Sequence, residues 1–232
     1  MRFNTVKLTY REILRLPKQR ISRYFLMKKI LNLCYTTRYM RTLLIDNSTK
    51  RLQELISTLP GELTTITKQE PINQDPDNFD LIVLSGGSEN IPTVLYHPEF
   101  YSDEIKLLQS FKGAILGICL GCEIICKAFG GTLKEMPAHE HGEVTIQIID
   151  PSLALHIEAS SLVSFESHSV GIDKVPDNFI VCAESEHAPE IIRHATRRII
   201  GIQFHPEVEV SKKLWAWILD TEMTLRTTNP LD

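Results

Sequence analysis

Gly113-Ala-Ile-Leu-Gly-Ile-Cys-Leu-Gly-Cys-Glu-Ile-Ile-Cys-Lys-Ala-Phe-Gly-Gly131 decides how the rest of the chain is read. Its first six residues are the short apolar run of a buried strand, bounded by glycine. From Leu120 to Phe129 it reads as a helix, and Gly130-Gly131 ends that helix. Working outward, Arg41-Thr-Leu-Leu-Ile-Asp46 and Asp80-Leu-Ile-Val-Leu84 are two further strands of the same buried kind. Between them Leu52, Leu55, Ile56 and Leu59 recur at helical spacing, with Asn47 or Ser48 as the cap and Pro60-Gly61 as the stop. Tyr101, Ile105 and Leu108 mark another helix. Shorter β-like pieces follow at Val144–Ile149, Leu162–Phe165, Phe179–Ala183 and Ile199–Phe204. A last helix from about Val210 carries Leu214, Trp217 and Ile218 on one stripe. Apolar strands alternating with amphipathic helices predict an α/β fold: a mostly parallel central sheet with helices on both faces, plus a smaller β region. Ligands of such sheets sit beyond the carboxyl ends of the strands. Those ends carry Ser85-Gly-Gly, Cys119 and His205.

Cys119 stands between Gly117 and Gly121, at the joint of strand and helix. A sharp strand-to-helix turn needs small flanking residues and exposes its central side chain above the sheet. At a helix N-terminus the dipole and free N–H groups favour a thiolate, and the Leu120 N–H is placed to hold an oxyanion. The same residues admit rival readings. Cys119 and Cys122 form a Cys-x-x-Cys at a helix start, as in thioredoxin-like redox centres, and Cys126 extends the run toward a metal or cluster site. A small buried hydrophobe is the plain alternative.

Gly201-Ile-Gln-Phe-His-Pro-Glu207 supplies a base at another strand end. Proline keeps the residue before it extended, so His205 and Glu207 should face the same way, with Glu207 orienting the imidazole. Cysteine, histidine and glutamate then make the triad of acyl transfer. Ser85-Gly-Gly-Ser88 follows a strand, and its glycines allow close backbone approach, with Gly87 as a second oxyanion donor. His139 and His141 invite a metal reading without a clear third ligand. Ser167-His168-Ser169 is ambiguous alone.

Composition narrows the classes further. The chain has 232 residues, 43% hydrophobic and 23% charged, an ordinary globular make-up. Its net charge of −4 hides a split: residues 1–39 hold ten Lys/Arg against Glu12, leaving 15 basic and 28 acidic residues, net −13, for 40–232. The acidic body gives no electrostatic case for a nucleic-acid surface. No apolar run reaches the roughly 18–20 residues of a membrane span, and residues 1–39 offer no clean signal-peptide core. Five cysteines in no disulfide spacing fit a reducing, cytoplasmic setting. The domain division expected is a basic extension at 1–39 and the α/β domain at 40–232. The extension reads as an upstream start with Met27 or Met40 as the true one, as an organelle presequence, or as a basic arm for an acidic partner.

Together, Ser-Gly-Gly, Gly-Ile-Cys-Leu-Gly, Glu-His-Gly, Ser-His-Ser and Gly-Ile-Gln-Phe-His-Pro-Glu-Val resemble the class I (triad) glutamine amidotransferase domain, in order and approximate spacing, over about residues 41–220. Among its subfamilies the chain looks most like the glutaminase part of GMP synthase, through Val175-Pro-Asp-Asn-Phe179, Ala188-Pro-Glu-Ile191 and Val208. The resemblance implies a flavodoxin-like fold and a glutaminase with Cys119 as nucleophile, His205 as base and Glu207 as orienter. It implies an oxyanion hole from the N–H groups of Gly87 and Leu120. Gly86, Glu123, His141, Gly142, Ser167 and His168 would surround the glutamine substrate, with no cofactor and no metal. Cys122, Glu123 and Ser88 depart from the usual His or Met, Gln and Pro. The chain carries no phosphate loop or pyrophosphatase signature that would use ammonia, so a separate synthase chain is the implied partner. The alternatives are a free-standing hydrolase of γ-glutamyl compounds, an inactive regulatory subunit or a redox dithiol.

Overall fold

A computed structural model describes residues 40–68, 70–208 and 212–224, all within the unit Met40–Asp232. The basic extension expected at 1–39, and Val210 of the last helix, lie outside the described residues. Among the described residues, nine strands form one sheet: β1 (Arg41–Asp46), β2 (Glu62–Thr67), β3 (Leu81–Leu84), β4 (Ala114–Ile118), β5 (Thr132–Ile148), β6 (Ser161–Lys174), β7 (Phe179–Glu184), β8 (Pro189–His194) and β9 (Ile199–Ile202). Their order is β2-β1-β3-β4-β9-β8-β7-β5-β6. The β2, β1, β3, β4 and β9 half is parallel, and from β9 onward every pairing is antiparallel. The smaller β region therefore extends the central sheet.

Among the described residues, five α-helices cover it: α1 (Leu52–Thr58), α2 (Ser102–Ser110), α3 (Leu120–Ala128), α4 (Pro151–Ile157) and α5 (Lys212–Thr224). Successive residues of one strand point to opposite faces, and here both faces are apolar. Leu43, Ile45, Ile82, Leu84 and Ile115 pack with Leu107 and Leu108 of α2 and Ile124 and Ile125 of α3. Leu44, Leu81, Val83, Leu116 and Ile200 pack with Leu55 of α1, Leu153 of α4 and Trp217 and Ile218 of α5. This double burial explains why these strands read as continuous apolar runs rather than alternating ones.

The expected cap of α1 is not used. Arg51 occupies the cap position without a side-chain bond, and Asp46 Oδ1 instead accepts from the Thr49 N–H at 3.0 Å. Val144–Ile149 is the end of a 17-residue strand whose first part is hidden by a bulge: Glu135 pairs with Val170, but Glu140 pairs with His168. Five steps on one strand against two on the other leave Met136 buried against Gly171 and push residues 137–139 outward. Bulges of this kind re-aim side chains next to functional sites.

Candidate active site

Cys119 stands where β4 hands over to α3, at φ 50° and ψ −108°. That backbone region is strained for a residue with a side chain, and it persists only when the surroundings dictate it. Here they do. A Cβ on Gly117 would lie 2.4 Å from the Gly121 carbonyl oxygen, and one on Gly121 would lie 2.4 Å from that of Leu84. Glycine is thus a steric requirement on both sides of the cysteine. The Cys119 N–H donates to Ile202 O at 2.7 Å, and its carbonyl accepts from the Glu123 N–H at 3.1 Å. The turn is therefore tied to both strand and helix.

The thiol's electrostatics correct one expectation. Burial, then the Glu123 carboxylate, push the Cys119 pKa well above the ordinary thiol value, with Glu166 and Glu207 adding to the effect. Only the Leu120 amide works the other way. The Leu120 amide does not outweigh these neighbours.

His205 meets this site from the end of β9. Its Nδ1 lies 2.9 Å from Glu207 Oε1, whose side chain is fully buried. The contact forms differently from the extended geometry expected. The strand stops at Ile202, and the Val208 N–H donates to His205 O at 3.1 Å, closing a turn that folds Glu207 back onto the ring. With Nδ1 carrying its proton toward Glu207, Nε2 is left as the basic nitrogen. On the other side Gly86 presses against the imidazole: a Cβ there would lie 3.0 Å from His205 Cε1 and 3.5 Å from Cys119 Cβ. Gly87 packs just as closely on α3, since its Cβ would meet Leu120 Cδ2 at 2.6 Å. Three strand ends therefore touch through glycines.

A cavity of about 760 Å³ opens over them. Cys119, Leu120, Glu123, Gly87, Ser88, His205, Ser167, His168, His139 and His141 all line it. Of the remaining residues expected here, Gly86 lies between His205 and Cys119, and Glu207 lies behind His205. Gly142, at φ 114°, lies opposite Glu166 in the β5–β6 hairpin and off the cavity wall. His139 and His141 stack on each other and face the hydroxyls of Ser169 and Ser167, at 2.9 and 3.4 Å. Glu123 is buried, and burial pushes its pKa up to about 7 against the opposing pull of His168 and Gln203, whose Nε2 donates to it at 3.3 Å. Cys122 is fully buried and would collide with a side chain at Gly201, while Cys126 points at the Thr132 and Lys174 carbonyls. No exposed dithiol results.

Some wall residues carry no sequence signal. Thr49, Lys50, Arg51 and Glu54 reach the cavity because β1 ends beside β3. The Arg51 guanidinium sits 4.6 Å over the Phe165 ring, and Lys50 pairs with Glu89 at 2.7 Å on the rim. They form no motif, and only the strand order brings them here.

Residues 43–218 match the family model of class I glutamine amidotransferases. The chain belongs to that family. Over 153 residues it is 32% identical to the glutamine-hydrolysing GMP synthase subunit of Sulfolobus acidocaldarius, a stretch covering 66% of this chain and 79% of that one. The corresponding subunit of Methanothermobacter thermautotrophicus is 30% identical over 158 residues, covering 67% and 79%. The amidotransferase fold is shared with the crystal structure of a putative GMP synthase subunit from Thermoplasma acidophilum, at a TM-score of 0.69 and 22% identity, covering 81% of this chain and 96% of that one. A glutamine amidotransferase from Thermotoga maritima gives a TM-score of 0.58 at 20% identity, covering 81% and 84%. Among the described residues of the amidotransferase, no helix is long and apolar enough to cross a membrane.

Proposed function

We propose that this amidotransferase hydrolyses the side-chain amide of glutamine through Cys119, His205 and Glu207 and passes the ammonia to a separate synthase chain of the GMP synthase kind. The observation that carries this reading is the meeting of the strained Cys119 turn with a His205 ring held at 2.9 Å by buried Glu207, under one cavity. His205 Nε2 takes the thiol proton as sulfur attacks the amide carbon. The tetrahedral oxyanion accepts from the N–H groups of Gly87 and Leu120. The imidazolium returns its proton to the leaving nitrogen, and ammonia departs. Water, activated by the same nitrogen, then releases glutamate from the thioester. Glu207 keeps the ring in one tautomer and stabilises its charged form.

A raised thiol pKa suits this order of events, because it delays deprotonation until substrate and base are both in place. His141, Ser167, His168 and Glu123, which line the cavity, form the surroundings of the glutamine amino and carboxylate groups in this reading, with Gly86 and Gly142 set behind them. Residues 40–232 are the amidotransferase domain and 1–39 a basic extension to it. The relatives named as glutamine-hydrolysing subunits of GMP synthase support the separate partner. The four unpaired cysteines among the described residues support a reducing, cytoplasmic setting.

The test is release of glutamate and ammonia from glutamine, with and without a GMP-synthase-type synthase chain, beside a panel of γ-glutamyl peptides. Glutamine hydrolysis that rises with the synthase is the expected result. Turnover of γ-glutamyl peptides alone would replace the two-chain reading with that of a free-standing hydrolase.

A further inference from the structure

Behind the cavity wall, the antiparallel half of the sheet brings together Glu140 of β5, Glu166 and His168 of β6, and Glu190 of β8. His168 Nε2 lies 2.7 Å from Glu166 Oε2 and 3.3 Å from Glu140 Oε2. One donor atom each from Glu140, His168 and Glu190 falls within 4.8 Å of the other two. Glu166 and Glu190 are wholly buried and face each other, with His168 Nε2 against Glu166 and the Ser185 hydroxyl beside Glu190. That hydroxyl also lies 3.3 Å from the Ala188 carbonyl oxygen. Among the described residues, the ion-pair partners of this cluster are two histidines: His168 itself, and His187, whose Nε2 is 3.6 Å from Glu140 Oε1 at the rim.

Buried carboxylates persist when they are paired, hydrogen-bonded or bound to a metal. With one imidazole among three of them, burial pushes the pKa values of Glu166 and Glu190 up to about 8 and about 9, toward the neutral acids, and a bound cation is the alternative that keeps them ionised. The orientation of that imidazole is informative. Its Nδ1 lies 2.9 Å from the Val170 carbonyl oxygen, a contact that only an Nδ1–H can make favourably. Nε2, bearing the lone pair in the neutral ring, therefore faces the carboxylates. Metal-bound histidines are anchored in this way, by donating the other ring nitrogen to a carbonyl or carboxylate. Bond lengths of about 2.0–2.2 Å around a tetrahedral ion set ligand atoms roughly 3.3–3.6 Å apart. His168 Nε2 and Glu140 Oε2 already stand 3.3 Å apart, and Glu190, within 4.8 Å of both residues' donor atoms, closes the trio by approaching up to roughly an ångström.

We propose that Glu140, His168 and Glu190 form a binding site for one divalent first-row transition cation, with Glu166 as a flanking third carboxylate. Oxygen and imidazole donors without a thiolate suit Zn²⁺ or Mn²⁺. His168 lines the cavity and the Glu140 side chain is 13% exposed, which gives the ion a route in. The ion ties β5, β6 and β8 together under the Ser167-His168 backbone. It acts on the shape of the pocket floor and touches no reacting atom.

The experiment uses the full chain carrying Cys119→Ser, which removes the reactive thiol as a competing ligand. After chelator treatment, Zn²⁺ and Mn²⁺ are each titrated by equilibrium dialysis, and thermal unfolding is followed with and without the ion. The expected result is one bound equivalent of at least one cation and a higher Tm on loading. Binding should weaken at least tenfold on Glu190→Gln and on Glu140→Gln, and stay unchanged in His139→Ala/His141→Ala. Circular dichroism checks each fold. Glu140→Gln, at the rim, decides if Glu190→Gln does not fold. Absence of stoichiometric binding in the Cys119→Ser protein overturns the proposal by itself and leaves the carboxyl groups sharing protons. Binding unaffected by the glutamine substitutions, or lost with the His139/His141 pair, overturns it as well.

Discussion

Cys119, Cys122 and Cys126 share one strand–helix junction, and their surroundings separate their chemistry. Cys119 reaches the cavity on a strained turn, while Cys122 is sealed against Gly201. Cys119→Ala should abolish glutamine hydrolysis, and Cys122→Ser should keep it within a few-fold; equal loss in both would favour dithiol chemistry. Glu123 gives a second residue-scale outcome. Its carboxylate is, after burial, the largest influence raising the Cys119 pKa. With a thiol pKa far above the working pH, each unit of decrease raises the thiolate fraction about tenfold. Glu123→Gln should therefore speed alkylation of Cys119 by iodoacetamide several-fold at pH 8, where Glu123 itself is mostly ionised. An unchanged or slower rate would mean that the carboxylate does not control the thiol.

At the scale of elements, α4 shows how a short helix is held in place. Asp150 Oδ1 accepts from the Ser152 and Leu153 N–H groups at 2.7 and 3.2 Å, while Oδ2 accepts from Arg193 Nε and Nη2 at 3.1 and 3.0 Å. Burial opposes ionisation of this carboxyl, but the two amides and the guanidinium outweigh it and hold its pKa below the ordinary value. Because the folded-state value is depressed, its contribution is complete above the unfolded Asp value of about 3.9 and disappears as pH falls through the folded one. Asp150→Ala should cost about 1–3 kcal/mol in urea unfolding at pH 7, with a smaller gap from wild type below pH 3. A gap independent of pH would assign the loss to packing.

That helix was legible in principle, since Asp150-Pro151 is an N-cap followed by proline at the first helical position. Its seven residues were too few to show a period. Strand β2 was hidden for another reason: it is an edge strand, mostly exposed and threonine-rich, so it lacks the apolar run that announced β1, β3 and β4. The chemistry at Cys119 and His205 could be read because each stands where a buried strand breaks into a turn of special residues. Glu166, Glu190 and Arg51 could not, because the β5–β6 register and the order of strands create their proximity.

The unit Met40–Asp232 joins a parallel half-sheet that positions Cys119 and His205 to an antiparallel half that builds the pocket's far wall. The net charge of −4 describes neither half: the positions that form this sheet and its helices carry the acidic excess, and ten of the basic residues belong to 1–39. In the proposed reading the product, ammonia, is on its way to another chain, so the activity should depend on that chain's presence. The most direct measurement is mass spectrometry of protein acid-quenched during turnover of glutamine. The account predicts a single γ-glutamyl adduct on the peptide carrying Cys119, absent in Cys119→Ala and accumulating in step with ammonia release. Ammonia release with no adduct at Cys119, or an adduct on another residue, would contradict it.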